Sequence, residues 1–449
     1  MKSWNSSNLE RRRFLQVAGG LAACASSVFL TRADDLPKNT DPKAIFGDSA
    51  EPDWDQRVKI TVGPKEADLV GTTDKVLQAA IDFVARKGGG TVHVLPGTYQ
   101  LRNSIFLQSK VRIVGSGADS VLIKEPSAAT RLVVDGDHWE QEVTLADHKV
   151  FQVGDGVRLV AKDPHAKDTN IIQRTLIASR GNRFKLDRRL EERFHLSGEP
   201  QIATNFALLQ CSNVEHVVIE KIAVDGNKAN NEMLDKGMFD DGAVRLDESN
   251  RIIVRDVTVR NFYCDGIVWG ISHDVLVENC QLHDGVRLAI HSGSGSQRSI
   301  VRGNQVKHCA EGVYFCWGTQ YGLYEKNVIE ECNYGMTLGH RDSDNLIRNN
   351  DIRRSGEAGI LFRGGNRAFA AHRNRIENNR IVDSGGEKGI AIHVNGQTES
   401  VSLVKNKLRE TRKPLSRVGI LIGAETKEIR CEDNQIEGFA VSIKDLHEG

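Results

Sequence analysis

The chain has 449 residues, and its 60 Lys and Arg are balanced by 60 Asp and Glu, giving a formal net charge of zero. That balance excludes a nucleic-acid binder held by a basic face and a polybasic membrane binder. A content of 39% hydrophobic and 27% charged residues excludes a disordered chain, while 42 Gly, 9 Pro and recurring short Val/Ile runs favour many short strands over long helices.

Residues 1–33 read as an address. Arg11-Arg12-Arg13-Phe14-Leu15 precedes a mild apolar stretch, Val17 to Leu30, that is too short and too rich in Gly, Ala and Ser to span a membrane. The arrangement resembles a bacterial twin-arginine export signal, with cleavage expected after Ala33 and a periplasmic or secreted destination. Leu21-Ala22-Ala23-Cys24 also resembles a lipoprotein box, but lipidation there would leave apolar Val28-Phe29-Leu30 on the mature side. No later segment reaches eighteen apolar residues, so a soluble mature chain without a transmembrane segment is expected.

After a linker over 34–57, residues 58–130 open the folded part. Thr73 to Lys87 carries Val76, Leu77, Ala80, Ile81 and Val84 on one stripe, with Asp74 in the first turn, Arg86 and Lys87 in the last, and Gly88 beyond. This predicts an amphipathic helix that covers the open end of a core. A strand and a turn are expected over Gly88 to Tyr99. Residues 131–200 lose any repeat. Val150 to Val160 alternates like a hairpin, and Ile172 to Leu176 and Arg183 to Leu190 are further candidate strands, so a small β insertion is predicted, either overhanging a groove or serving as padding.

From 201 to 445 a repeat takes over. Asn304, Asn327, Asn350, Asn379, Asn406 and Asn434 recur at spacings of 23, 23, 29, 27 and 28, each followed two residues later by an apolar one. Cys280, Val257 and Ile222 fill the same slot upstream. A Gly-led strand comes next in each unit, as in Gly312-Val313-Tyr314-Phe315 and Gly359-Ile360-Leu361-Phe362. A unit in the low twenties has room for three short strands and three corners, and stacking such coils about 4.8 Å apart makes a parallel β-helix. Inward asparagines at one corner then bond their counterparts above and below. The chain thus reads as all-β, a right-handed single-stranded parallel β-helix with an N-terminal capping α-helix and a small β insertion. Over roughly 58 to 445 it resembles the pectate-lyase-like superfamily. Of its eight cysteines Cys24 lies in the signal, and the odd seven that remain are expected to be mostly free and buried.

Candidate chemistry gathers on one face. With the Gly-led strands aligned, the second outward position reads Asp247, Gly270, His291, Cys316, Gly339, Arg363 and His393. The first reads Arg245, Val268, Ala289, Tyr314, Thr337, Leu361 and Ala391. Asp265, Asp284, Glu311 and the run His340-Arg341-Asp342 lie just outside. Such a row makes a groove suited to a chain-like substrate. Asp265, His291, Tyr314, His340 and Arg363 are the candidate catalytic residues. Arg245, Trp317, Arg341 and His393 are the candidate substrate contacts. Cys309 and Cys332 share a turn register and read as buried stacking.

The segment ending Asp265-Gly266-Ile267 resembles the Asn-Thr-Asp-Gly-Ile segment of polygalacturonases, and Leu288 to Gly293 resembles the strand after their catalytic aspartate pair. Gly285 and Val286 stand where the pair belongs, Glu311-Gly312 replaces a His-Gly step, and the Arg-x-Lys motif is absent. The inherited hydrolase arrangement is therefore missing. Lyases and uronate epimerases of this fold need a base, a proton donor and cations on a carboxylate, which His291 or Tyr314, Arg341 and Arg363 supply. The leading expectation is an exported enzyme acting on an acidic polysaccharide by β-elimination. The alternatives are a glycoside hydrolase with a rearranged carboxylate pair and a non-catalytic glycan-binding or structural β-helix. No metal site is assigned. Calcium stays open, with Asp240, Asp241 or Asp247 as ligands but no EF-hand spacing to support it.

Overall fold

Each coil of the computed structural model is built around one corner. The described residues are 51–163, 168–231, 234, 242–386, 389–413 and 416–448. The expected signal, most of the linker, and Asp240 and Asp241 lie outside them. Within a coil a strand such as Leu276–Glu278 ends at a residue in the left-handed region, here Asn279 at φ 54°. Lys326, Asn349, Asn378 and Lys405 repeat this conformation immediately before a ladder asparagine. The positive φ swings the chain into the next sheet, as at Gln281–His283, and a second turn leads to a third strand, Leu288–Ser292.

Repetition of that path stacks the strands into three parallel sheets, here called A, B and C, of thirteen, eleven and eleven strands among the described residues. The result is the right-handed parallel β-helix expected from the repeat. Alternation along each short strand sends one face inward. One core runs through the stack, from Leu77 and Val92 at the first coils to Ile420 near the last.

The asparagine ladder has the expected geometry. Asn327 accepts from the backbone N–H of Asn304 at 3.0 Å and from its Nδ2 at 2.9 Å, and Asn350 does the same for Asn327. Each Nδ2 also donates to a strand carbonyl of the preceding coil, as Asn350 does to Tyr324 at 2.9 Å. The run continues through Asn379 and Asn406 to Asn434. Corner groups that no sheet can pair are satisfied in this way. The described cysteines are free, and all but the half-buried Cys431 are buried.

The cap helix spans Asp74–Arg86 and buries Leu77, Ala80, Ile81 and Val84 against the first coil. Gln78 on this helix accepts from the Phe106 N–H at 2.8 Å and donates to its carbonyl at 3.1 Å. Phe106 belongs to Ile105–Phe106, the first strand of sheet C. The helix therefore covers both the open core and an unpaired sheet edge.

The insertion is a six-stranded antiparallel sheet with its own core, including Val143, Leu159, Leu176 and Phe194. Its central hairpin pairs Gly156–Lys162 with Thr169–Arg180, so the alternating stretch from Val150 supplies one strand of the hairpin. The strand Arg183–Leu186, which pairs with this hairpin on one side and with Glu142–Thr144 on the other, stops short of the Leu190 expected from the sequence. Arg102 ties the insertion to the coils, binding Asp155 at 2.7 Å and Glu125 at 2.7 Å.

Replacing Asn350 with Leu leaves the Asn327 N–H and the Tyr324 carbonyl without these partners and should destabilise the fold by about 1–3 kcal/mol. Chemical denaturation should register the loss, and an unchanged midpoint would remove the ladder from the account of stability.

Candidate active site on sheet C

Coil-to-coil register brings the ionisable residues together. Arg245 lies opposite Val268, Val268 opposite His291, and His291 opposite Tyr314. Tyr314 then faces Thr337, Thr337 faces Leu361, and Leu361 faces His393. His291 and His393 thus share a row with Tyr314, not with Cys316 and Arg363 as the Gly-led alignment predicted. The cause is local. Gly266, Gly312, Gly335 and Gly359 sit where an added Cβ would come within 2.4–2.7 Å of a carbonyl oxygen in the next coil. Ala289 and Ala391 occupy the corresponding place in their own coils, so no glycine marks it there, and in the second of them Gly389 displaced the alignment by two residues.

A continuous polar cluster spans five coils. Asp265 is fully buried, and its Oδ2 lies 2.7 Å from Nδ1 of His291, itself 2% exposed. Burial works against the charged imidazole. The Asp265 carboxylate and the Cys316 thiol beside it nevertheless push it up to about 10, so an imidazolium–carboxylate pair is the resting state at neutral pH. The His291 ring meets Tyr314 edge to face, with centroids 5.1 Å apart. On the other side the Arg363 guanidinium lies 4.3 Å from the Tyr314 ring centroid. Burial pushes the Tyr314 phenol up to about 12, against the pull of Arg363.

Arg363 is held from several directions. It donates to Thr337 Oγ1 at 2.8 Å and to the Phe315 carbonyl at 2.6 Å, and lies 3.4 Å from Asp342. Thr337 donates in turn to Glu311 at 2.5 Å. Burial raises the Glu311 carboxyl above its ordinary value, while Thr337, Arg363 and His291 oppose the shift. Asp342 is fully buried and accepts from the N–H groups of Gly318, Thr319 and Gly339, each at 3.0 Å. Burial still lifts it to about 7, with Arg363 acting against the rise.

Beside this cluster stands an aromatic shelf. Trp317 stacks on His340, with ring centroids 4.9 Å apart at 30°, and Phe369 meets Trp317 edge-on at 5.9 Å. Trp317 is 45% exposed and Phe369 40%. Burial, then Arg363, lowers the His340 imidazole, so it is neutral at pH 7. An exposed indole backed by a neutral ring offers a flat face for a sugar.

Of the residues expected from sequence, Asp265, His291, Tyr314 and Arg363 form the cluster, and His340 and Trp317 flank it. Arg245 lies two coils before His291 and pairs with Asp247 at 2.6 Å. Arg341 is exposed at a turn, and His393 is half-buried two coils past Thr337. The pairing of Asp247 with Arg245 runs against a calcium role. Among the described residues no group of three or more His, Cys, Asp or Glu stands close enough to hold a metal ion. Glu311, Thr337 and Asp342 were visible in sequence only as neighbours of the candidate set, and nothing there marked Phe369. The missing aspartate of the polygalacturonase pair also has a physical cause: a Cβ at Gly285 would lie 1.9 Å from the Phe262 ring.

His291 has a folded-state pKa raised above its unfolded value near 6.5, so its stabilising contribution is complete below about 6.5 and lost as pH rises through about 10. Stability should therefore fall across that window, and His291→Gln should flatten the slope. A slope unchanged in the variant, followed by denaturant titration at several pH values, would mean that another group carries it.

Comparison with known proteins agrees with this fold. No curated protein sequence matches the chain. A Thermotoga maritima exopolygalacturonase structure superposes with a TM-score of 0.51 at 12% identity, covering 89% of this chain and 93% of that one. The ORF18 protein of Geobacillus virus E2 also gives 0.51, at 14% identity, covering 86% of this chain and 62% of its own. A right handed beta helix region matches residues 242–436. The family described as rhamnogalacturonase A/epimerase, pectate lyase-like matches residues 66–337, more than half of the chain, and the protein belongs to that family.

Proposed function

We propose that the protein is an exported polysaccharide lyase that cleaves an acidic polysaccharide by β-elimination on the outer face of sheet C. The observation that carries this reading is the sequence of contacts Asp265–His291–Tyr314–Arg363, which sets a phenol between two cations. Removing the proton beside a uronate carboxylate builds negative charge on that carboxylate. Fixed cations in a poorly solvated site stabilise such charge. Arg363, whose side chain is 18% exposed, takes the carboxylate, and the buried His291 imidazolium supports it from behind.

The ionisation states divide the remaining roles. His291 is protonated at neutral pH, which makes it a poor base. Glu311 is partly exposed and has a raised pKa, so it suits proton abstraction better. Tyr314 keeps its proton and suits donation to the departing glycosidic oxygen. The C–H pair goes to the new double bond, the C–O pair leaves with the oxygen, and Glu311 and Tyr314 end one proton richer and one proton poorer. A hydrolase needs two carboxylates facing one glycosidic bond. Asp265 and Asp342 are both fully buried, which leaves Glu311 as the partly exposed carboxylate of this cluster.

Glu311→Gln and Tyr314→Phe should each cut formation of unsaturated uronate by about a hundredfold or more with folding intact. Arg363→Ala should weaken both KM and kcat, and His216→Ala, outside the row, should leave both unchanged. The rate should rise with pH through a value above the ordinary glutamate range, because Glu311 acts ionised. Saturated products from a panel of acidic polysaccharides would favour hydrolysis, and binding without turnover would favour a glycan-binding role.

Export belongs to the same reading, supported by Arg11-Arg12 ahead of the apolar stretch. Replacing both with Lys should hold the precursor in the cytoplasm of a bacterial host. Normal recovery of that variant from the periplasm would overturn the twin-arginine route.

A further inference from the structure

Two thiols face each other at the corner that leads into the candidate active site. Strand Gln305–Lys307 pairs with Val328–Glu330, and Lys307 lies opposite Glu330. Both strands end in the same left-handed turn, His308 and Glu331 each at φ 53°. Beyond the turn Glu311 lies opposite Tyr334. Cys309 and Cys332 stand between these two pairings at the same offset, so one lies over the other on adjacent coils. Their side chains also match: each Sγ donates to the carbonyl two residues back, Lys307 at 3.4 Å and Glu330 at 3.5 Å. The Cys332 thiol is the main cause that pushes the Cys309 thiol up. Elsewhere register sets Cys211 opposite Leu246 and Cys431 opposite Leu403, and Cys280 takes its place before Asn304 in the ladder.

Neighbouring coils put the two Cα atoms about 4.8 Å apart. A disulfide spans Cα separations of about 4.4–6.8 Å, so the backbone is already placed for one. The parallel side chains need only a turn about χ1 to bring sulfur to sulfur. Packing does not demand a thiol at this corner. Ser355 and Ser384 continue the same column in the next two coils, where the Ser355 N–H donates to Ser384 Oγ at 3.3 Å. The backbone step is the same throughout: Asn333 N–H to the Cys309 carbonyl at 3.3 Å, Gly356 N–H to that of Cys332 at 2.8 Å, and Gly385 N–H to that of Ser355 at 2.7 Å. The column therefore accepts a hydroxyl as well as a thiol, and what cysteine adds on two successive coils is the capacity to cross-link.

From this geometry we infer that Cys309 and Cys332, free thiols in this structure, are a disulfide site that a disulfide-bearing oxidant closes. Cys309 is 5% exposed and Cys332 2%, so the oxidant meets Cys309 first. The Cys309 thiolate attacks a small disulfide and releases one thiolate. The Cys332 thiolate then attacks the Cys309 sulfur of the mixed disulfide and releases the second. Two electrons pass to the oxidant, and the two cysteine protons end on the released thiols. An oxidising compartment such as the periplasm supplies such an oxidant. The bond ties together the two coils across which Thr337 donates to Glu311. It lies directly before the strands that carry those residues, Glu311–Phe315 and Tyr334–Leu338. A staple there fixes the step between coils on which the candidate site is built.

The test uses the full chain, purified reduced and then incubated with oxidised glutathione, once at room temperature and once just below the unfolding midpoint, where buried corners open. Thiol titration under denaturing conditions should show two thiols lost per chain, and unreduced peptide mapping should join the peptides of Cys309 and Cys332. The unfolding midpoint should rise by about 3 °C or more, and dithiothreitol should reverse the rise. Cys309→Ser and Cys332→Ser, each treated alike, should show no rise. A rise that persists in either variant would assign the effect to other thiols and overturn the site. So would the absence of the bond at both temperatures, glutathione retained on Cys309 alone, or a bond to a different cysteine. A Cys309–Cys332 bond that lowers the midpoint would overturn the fit of the corner. The peptide map of the unsubstituted chain decides the matter even where a variant fails to fold.

Discussion

Every coil must superpose on the one before it, and that constraint governs the molecule. Parallel strands pair only when their neighbours keep register, so a sequence insertion can be absorbed only at corners. The Asn ladder sits at the one corner that does not vary. It bonds backbone N–H groups of successive coils with Oδ1 and strand carbonyls with Nδ2. The step between successive asparagines changes from 23 to 29 residues after Asn350, yet the bond lengths stay near 3 Å. The added residues leave at a different turn, over the stretch that includes Phe369.

Superposition also creates the site. Asp265 and His291 are 26 residues apart in sequence, and Thr337 and Glu311 likewise, but each pair is one step of the stack. Residues on adjacent rungs are held by backbone pairing on both sides, so their side chains start in place. This is the preorganisation that electrostatic stabilisation requires. It also concentrates cost: a buried imidazolium and two fully buried carboxylates must find partners within the cluster. Asp265 finds His291, and Asp342 finds three backbone N–H groups and Arg363.

How much of this was legible depended on how strongly each residue is tied to the repeat. The ladder asparagines, the cap helix and the loss of repeat between 131 and 200 follow from patterns that packing enforces. The row of His291 did not. Glycine marks the strand position where a Cβ would strike the next coil, but Ala289 and Ala391 are small enough to stand there, and without that marker the alignment slipped in their coils. Asp342, legible only as a neighbour of the row, and Phe369, not marked at all, escaped for another reason. They lie in turns, where no periodicity constrains the sequence, and only the folded chain carries them to Arg363 and Trp317. Ionisation was equally invisible: in sequence His291 could serve as base or acid, and only the Asp265 carboxylate beside it makes it a cation.

The zero net charge acquires a structural meaning from the same stack. On the outer faces of sheets A and B, arginines and carboxylates alternate from coil to coil. Arg302 meets Glu278 at 2.9 Å, Arg348 meets Glu325 at 2.9 Å, and Arg353 meets Glu330 at 3.0 Å. Each such half-exposed pair adds little to stability. Together they let like faces stack without repulsion, since a charge repeated every 4.8 Å along a rod would otherwise meet its own sign. Sheet C breaks the pattern. Its outward row carries Phe106, Gln210, Val268, His291, Tyr314, Thr337 and Leu361, with Arg245 standing between Gln210 and Val268 and His393 following Leu361. A face freed from charge ladders leaves the Phe106 ring exposed at the coils that the insertion roofs and buries His291, Tyr314 and Thr337 farther along.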